Sequence, residues 1–369
     1  MAAAGSPPLP PSRPLIDFSS NDYLGLATDG ALVEAAAAAL GRDGVGAGAA
    51  ALISGHRPVH RRLEQALARW LGRDQVLLFP SGFQANVALL TCLADRHSVV
   101  LADRLIHHSL LLGVRASGAR LRRFRHNDCT DLGRQLDQLR ADAPRRRLLV
   151  LSESLFSMEG TSPDLSALVQ CCQAAAALLI LDEAHGLGVL GCRGRGLAHG
   201  QPGVHAVVGT FGKAFGSGGA CIAADAPLGD YLLQFSGGYR YSTALAPPLA
   251  AAALAALERM PALEAERVSL LRRSVELRDG LVALGWPRPP GDGPVLALKL
   301  GSAAAALQLQ EALRQEGLLA WAIRPPSVPR GESRLRLVLR RGHTEADLGR
   351  LLTALEATAV APPSHSLKP

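Results

Sequence analysis

The stretch "GTFGKAFGSGGA" (209–220) sets a lysine among glycines, directly after the apolar run "HAVV". The chain carries 39 Lys plus Arg, yet only three are lysine: Lys213, Lys299 and Lys368. A guanidinium stays charged at any attainable pH, whereas an ammonium can lose its proton and attack a carbonyl to form a Schiff base. Lys213 is therefore read as a reactive amine. A P-loop fails here, because Val207 stands where its first glycine belongs and Ala214 follows the lysine. Two further polar clusters end apolar runs: "LLILDEAHG" brings Asp182 and His185, and "LLVLSESLFSMEG" brings Ser157. Each has a plainer reading alone, with Asp182 and His185 as a capped turn and Lys213 as a surface or phosphate-binding lysine. Their combination asks for more.

Pyridoxal phosphate (PLP) matches the set. It presents the carbonyl that a reactive lysine needs, and its ring nitrogen needs a carboxylate to stay protonated and withdraw electrons, a role suited to Asp182. His185, three residues on, can reach the ring's phenolic oxygen. "FPSGFQAN" (79–86) opens a helix whose first N–H groups suit a phosphate. His107 in "DRLIHHS" can stack on the ring, with His108 as the competing assignment. No metal is expected.

Positioning these groups requires a sheet. Apolar runs recur at 75–79, 98–103, 147–154, 177–185, 205–213 and 219–225, with helical patterns such as "PDLSALVQCCQAAA" between them. Continuous apolar strands alternating with helices predict a largely parallel sheet covered on both faces. In open α/β sheets, ligands gather at the carboxyl ends of strands, where the three polar clusters fall. The alternation stops near residue 245. A long helical stretch over roughly 247–285, the strand "PVLALKL", a helix from about Ala303 to Glu316 and the strands "LLAWAI" and "RLRLVLR" then predict a smaller α+β domain. The expected organisation is an N-terminal arm (1–40), a large cofactor-binding domain (41–245) and a small C-terminal domain (246–369).

Composition narrows the class. The chain has 369 residues, is 48% hydrophobic and 19% charged, and has net charge +7. The basic balance invites nucleic acid, but aromatics are only 4%, which leaves few stacking platforms. The arginines fall in short clusters ("RLRRFRH", "PRRRLL"), so solvated faces or a surface for phosphorylated substrates fit better. Six cysteines without a CxxC pair fit a reducing cytoplasm. "MAAAGSPPLPPSRPL" lacks a signal peptide's apolar core, and no membrane span is expected.

The combination "DFSSNDYLGLA", "FPSGFQANVALL", "ADRLIHHSLL", "RRFRHND", "ESLFSMEG", "LDEAHGLGVLG", "TFGKAFG", "YSTALAPP" and "AIRPPSVPRGESRLR" resembles the α-oxoamine synthases. These belong to PLP fold-type I, the aspartate-aminotransferase-like fold, and the resemblance runs from about Ile16 to Leu352. It implies Lys213 as the Schiff-base lysine, Asp182 on the ring nitrogen, His185 and Ser157 on the phenolic oxygen and His107 on the ring face. It implies Thr210, Gly82 and Phe83 as phosphate ligands, and Ser242 and Thr243 as phosphate contacts given by the other protomer of a homodimer. Arg324 matches the clamp for the amino-acid carboxylate, Asn21 lies near the same substrate, and Ser327 stands where a Thr is common. The motifs favour the member that condenses L-alanine with a pimeloyl thioester, carried on CoA or an acyl carrier protein. Glycine-using members and a non-catalytic PLP-binding or regulatory protein are the alternatives. Two departures concern the acyl donor. Ala50 and Ala51 replace a Ser–Arg pair, and the segment before "DFSSNDYLG" is short, leaving Arg13 as the nearest arginine for the acyl substrate.

Overall fold

The computed structural model describes residues 15–358. In chain order its strands are β1 (Ile16–Asp17), β2 (Gln75–Phe79), β3 (Val99–Asp103), β4 (Arg120–Phe124), β5 (Leu148–Glu153) and β6 (Leu178–Asp182). They continue as β7 (Ala206–Thr210), β8 (Ala220–Ala224), β9 (Val295–Gly301), β10 (Leu318–Leu319), β11 (Trp321–Ile323) and β12 (Ser333–Val338). Seven of them form the central sheet in the order β2-β8-β7-β6-β5-β3-β4. All run parallel except β8, which lies antiparallel between β7 and β2.

The central strands other than β4 are apolar on both faces because helices cover both. Side chains alternate across the sheet. Val99, Leu101, Val150, Leu179 and Val207 pack into one core layer, and Val100, Ala102, Leu149, Ile180 and Val208 into the other. This is the doubly covered, mostly parallel sheet that the sequence predicts. One strand departs from the expectation. β4, "RLRRF", carries three arginines and shows no apolar run, yet it pairs along its length with β3. It is an edge strand, where charged side chains are tolerated and protect against strand-to-strand association.

A three-stranded antiparallel sheet, β11-β12-β9, packs with the helix Ala303–Gln315, which in turn contacts the helix Glu345–Ala357. The helical stretch expected over 247–285 is two helices, Pro247–Arg259 and Glu264–Ala283, separated by a 3-10 turn at Met260–Leu263. Pro261 is the reason, since its missing N–H and its ring interrupt an α-helix. "LLAWAI" likewise divides: β10 pairs in parallel with β1, and β11 pairs with β12. The N-terminal segment is thereby tied to the C-terminal part of the chain. All six cysteines are free. Among the described residues no helix is long and apolar enough to cross a membrane, and no cluster of His, Cys, Asp and Glu could hold a metal ion.

Candidate active site

The carboxyl ends of β5, β6 and β7 deliver Glu153, Asp182 and Thr210 to one edge of the sheet. With the start of the helix Gly82–Leu93 and the loop after β3, they enclose a cavity of about 210 Å³. Lys213, His107, Asp182, His185, Thr210, Gly82 and Phe83 all line it. The structure therefore brings together residues spread over more than a hundred positions.

The phosphate end is built from backbone. Ser81 caps the helix, its hydroxyl accepting from the Gln84 N–H at 3.2 Å, and Ala85 N–H donates to the Ser81 carbonyl. Gly82 and Phe83, at the first two helical positions, keep N–H groups with no intrahelical acceptor. Gly82 lies against Thr210, so close that a methyl group there would sit 3.6 Å from the Thr210 Cβ. Thr210 Oγ1 donates to the Gly219 carbonyl at 3.0 Å and accepts from Gly212 N–H at 3.3 Å.

Asp182 is buried and fixed at both oxygens. Asn86 Nδ2 donates to Oδ2 at 2.7 Å and Ala184 N–H donates to Oδ1 at 2.9 Å. Asn86 Nδ2 also reaches Ser109 Oγ at 2.9 Å, and Ser109 Oγ pairs with His107 Nδ1 at 2.8 Å. His107 forms the N-cap of the helix His108–Ser117 and faces the cavity, whereas His108 does not line it. Of the two histidines, His107 is the one at the cavity.

Lys213 stands opposite Asp182 and Glu153. Burial pulls its pKa down to about 8; Asp182 and Glu153 oppose that shift, and Arg336 adds to it. A lysine so placed holds a reactive neutral fraction near neutral pH. His185 Nδ1 lies 2.6 Å from the Tyr23 hydroxyl. Burial raises the Tyr23 pKa, so the phenol keeps its proton. Burial, then Lys213, lowers the His185 pKa well below its usual value, so the ring is neutral.

Three contributors are absent from the sequence reading. Glu153 is buried in the cavity wall, accepts the His107 N–H, and is pushed well above the carboxylate range by burial and then by Asp182. Tyr23 and Arg336 are the others. Arg336 donates through Nε to the Ser157 carbonyl at 2.7 Å and through Nη2 to Asn21 Oδ1 at 2.9 Å. A signal existed for Arg336: an arginine within the apolar strand "RLRLV" is out of place unless it has buried partners.

Other expected residues sit elsewhere. Ser157 and Asn21 join the site through Arg336 rather than at the cavity wall. Arg324 and Ser327 lie on an exposed turn after β11, joined by the Ser327 N–H to the Arg324 carbonyl at 2.9 Å. Ser242 and Thr243 do not line this chain's own cavity; Thr243 bridges Ala50, and Ala244 N–H donates to the Ala49 carbonyl. Arg13 lies outside the described residues.

The donor set fits PLP: a lysine with a lowered pKa, a fixed buried carboxylate, a neutral histidine and two unclaimed helix N–H groups. Comparison with known proteins agrees. The family model of class I and II aminotransferases matches residues 13–355. The 8-amino-7-oxononanoate synthase of Chromohalobacter salexigens is 44% identical over 354 residues, covering 95% of this chain and 90% of that protein. The synthase of the same name from Klebsiella pneumoniae is 44% identical over 343 residues, covering 92% and 88%. Among solved structures, a serine palmitoyltransferase from S. paucimobilis with PLP and myriocin bound superposes with TM-score 0.89 at 28% identity, covering 93% of this chain and 87% of that one. The 8-amino-7-oxononanoate synthase of Francisella tularensis gives TM-score 0.79 at 27% identity, covering 93% and 97%. Fold, site and relatives agree, and the chain belongs to the class I and II aminotransferase family, as a PLP-dependent member of its 8-amino-7-oxononanoate synthase group.

Proposed function

We propose that this chain condenses L-alanine with a pimeloyl thioester to give 8-amino-7-oxononanoate, CO2 and a free thiol in biotin synthesis. The observation that supports it most is Lys213, held near pKa 8 across the cavity from the fixed Asp182 carboxylate. PLP, when bound, supplies the carbonyl for the amine and a ring that accepts electrons from the amino-acid Cα.

Gly82, Phe83 and Thr210 would hold its phosphate, Asp182 its ring nitrogen and His107 its ring face. His185 and Ser157 are assigned to its phenolic oxygen. Lys213 Nζ takes the Cα proton of the amino acid as general base and later returns it. Arg324 is assigned to the substrate carboxylate through its guanidinium fork, and Asn21 and Ser327 to the same substrate. Arg13 is assigned to the acyl substrate. Ser242 and Thr243 are assigned to the phosphate in a partner's cavity, which makes the working unit a homodimer. The cytoplasm is the assigned compartment.

Product analysis with alanine, glycine and serine, each with pimeloyl-CoA, pimeloyl carrier protein and short acyl-CoA, tests the reading. L-Alanine with a pimeloyl thioester should turn over fastest. Glycine should bind and react slowly, because a pocket discriminates one methyl group by only about 1–3 kcal/mol. Faster turnover of glycine with every donor would reassign the substrate.

A further inference from the structure

Two arginine clusters that the catalytic site does not use meet at the opposite edge of the sheet. Arg120, at the start of β4, and Arg145 and Arg146, on the turn before β5, line one cleft with Arg96 and His97 from the turn before β3. Its volume is about 670 Å³, within the usual range of small-molecule sites. No Asp, Glu, Phe, Tyr or Trp lines it. It lies at the amino ends of β3, β4 and β5, roughly 13 Å along a five-residue strand from the catalytic edge.

The walls are built rather than loose. Arg140 donates through Nη1 to the Pro144 carbonyl at 3.1 Å and to the Arg146 carbonyl at 2.7 Å, which fixes the turn bearing Arg145 and Arg146. Asp95 accepts from the His97 N–H and the Ser98 hydroxyl, which fixes the turn bearing Arg96 and His97. Arg120 N–H donates to the Ser98 carbonyl and Val99 N–H to the Arg147 carbonyl, joining the three walls. Arg140 and Arg147 serve as braces, Arg147 holding the Leu93 carbonyl. The guanidinium groups of Arg120, Arg145 and Arg146 have no hydrogen-bond or ion-pair partner among the described residues, and Arg96 uses only its Nε, donating to His97. Four exposed arginines thus line one cleft with their outer nitrogens unclaimed.

We propose that this cleft is an anion site for the phosphate chain of a multiply phosphorylated small molecule. Guanidinium forks suit phosphate oxygens in pairs, and ligand charge would relieve the repulsion among four like charges. The one ring in the lining, His97, is held by Arg96 Nε at 3.0 Å and no Phe, Tyr or Trp is present, so the phosphate chain rather than an attached base is recognised. The same scarcity of rings disfavours single-stranded nucleic acid.

Titration calorimetry of the PLP-loaded protein with tripolyphosphate and with ATP, at physiological ionic strength, tests the site while the catalytic phosphate cradle is filled. Saturable binding of both at a Kd of about 1 mM or below is expected. Arg145→Gln/Arg146→Gln and Arg120→Gln should each weaken it at least about tenfold. Arg61→Gln/Arg62→Gln, an equal charge loss on the exposed face of the helix Pro58–Leu71, should leave it unchanged. Arg145→Lys/Arg146→Lys should fall between, since it keeps charge and loses the fork. Circular dichroism checks that each variant is folded. No saturable binding, equal loss in the Arg61/Arg62 control, or tighter binding of a single-stranded oligonucleotide than of tripolyphosphate would overturn the proposal.

Discussion

At the scale of the residue, the site works by setting protonation states through burial. Lys213, at about pKa 8, has a neutral fraction that an exposed lysine near 10.5 lacks. Only the neutral amine attacks a carbonyl, so capture of PLP by the cofactor-free protein should slow as pH falls through about 8. Stopped-flow absorbance over pH reads this, and a midpoint above 10 would contradict it. Borohydride reduction of the loaded protein should place the label on Lys213, not on Lys299, and Lys213→Arg should stay folded and lose turnover. Glu153 carries the opposite consequence. Its folded pKa is raised, so the native state holds a proton that the unfolded chain releases, and stability falls as pH rises from the ordinary glutamate value toward the raised one. Glu153→Gln keeps an acceptor for the His107 N–H and removes the titration. Its Tm should therefore fall less than that of the wild type between pH 4 and pH 8, and parallel curves would refute a raised pKa.

At the scale of the element, the strand ends and one helix start do the positioning. The helix Gly82–Leu93 begins where the Ser81 hydroxyl accepts the Gln84 N–H, and that cap sets the direction of the two free N–H groups beyond it. Ser81→Ala should cost about 1 kcal/mol of stability. It should also weaken PLP binding several-fold, read by fluorescence titration, because the first turn frays where the phosphate sits. Ser81→Asp keeps a capping oxygen and should restore stability, but its charge beside the cradle should leave PLP binding weak. A Ser81→Ala variant with wild-type PLP affinity would show that the cap does not organise the cradle.

At the scale of the whole molecule, the cavity receives groups from both ends of the chain. Tyr23 and Asn21 precede the first helix, and Arg336 lies in β12, yet they meet around His185. β1 pairs with β10, which holds the N-terminal segment in place for that meeting. The proposed dimer adds Ser242 and Thr243. Mixing Lys213→Ala with a Ser242→Ala/Thr243→Ala variant should therefore regenerate some activity, because half of the sites in a heterodimer would be intact. No recovery under proven subunit exchange would argue that each chain completes its own site.

The sequence by itself determined the apolar strands of the central sheet, its largely parallel character and the residues Lys213, Asp182, His185, His107, Gly82, Phe83 and Thr210 of the cavity. These were legible because a doubly covered strand must be apolar throughout, and because a polar residue just past such a run marks its open end. The sequence favoured His107 with His108 still in competition, since adjacent residues differ only in direction, and the cavity lining includes His107 alone of the two. β4 was hidden for a different reason: an edge strand pays little for arginines, so "RLRRF" carries no apolar signature. Glu153, Tyr23 and Arg336 acquire their meaning only in three dimensions. Burial shifts the protons of the first two, and the third joins Asn21 to Ser157 across more than a hundred residues. Local pattern fixes which elements form and which reactive groups end them. Desolvation and long-range hydrogen bonding depend on what packs nearby, and only the tertiary structure decides that.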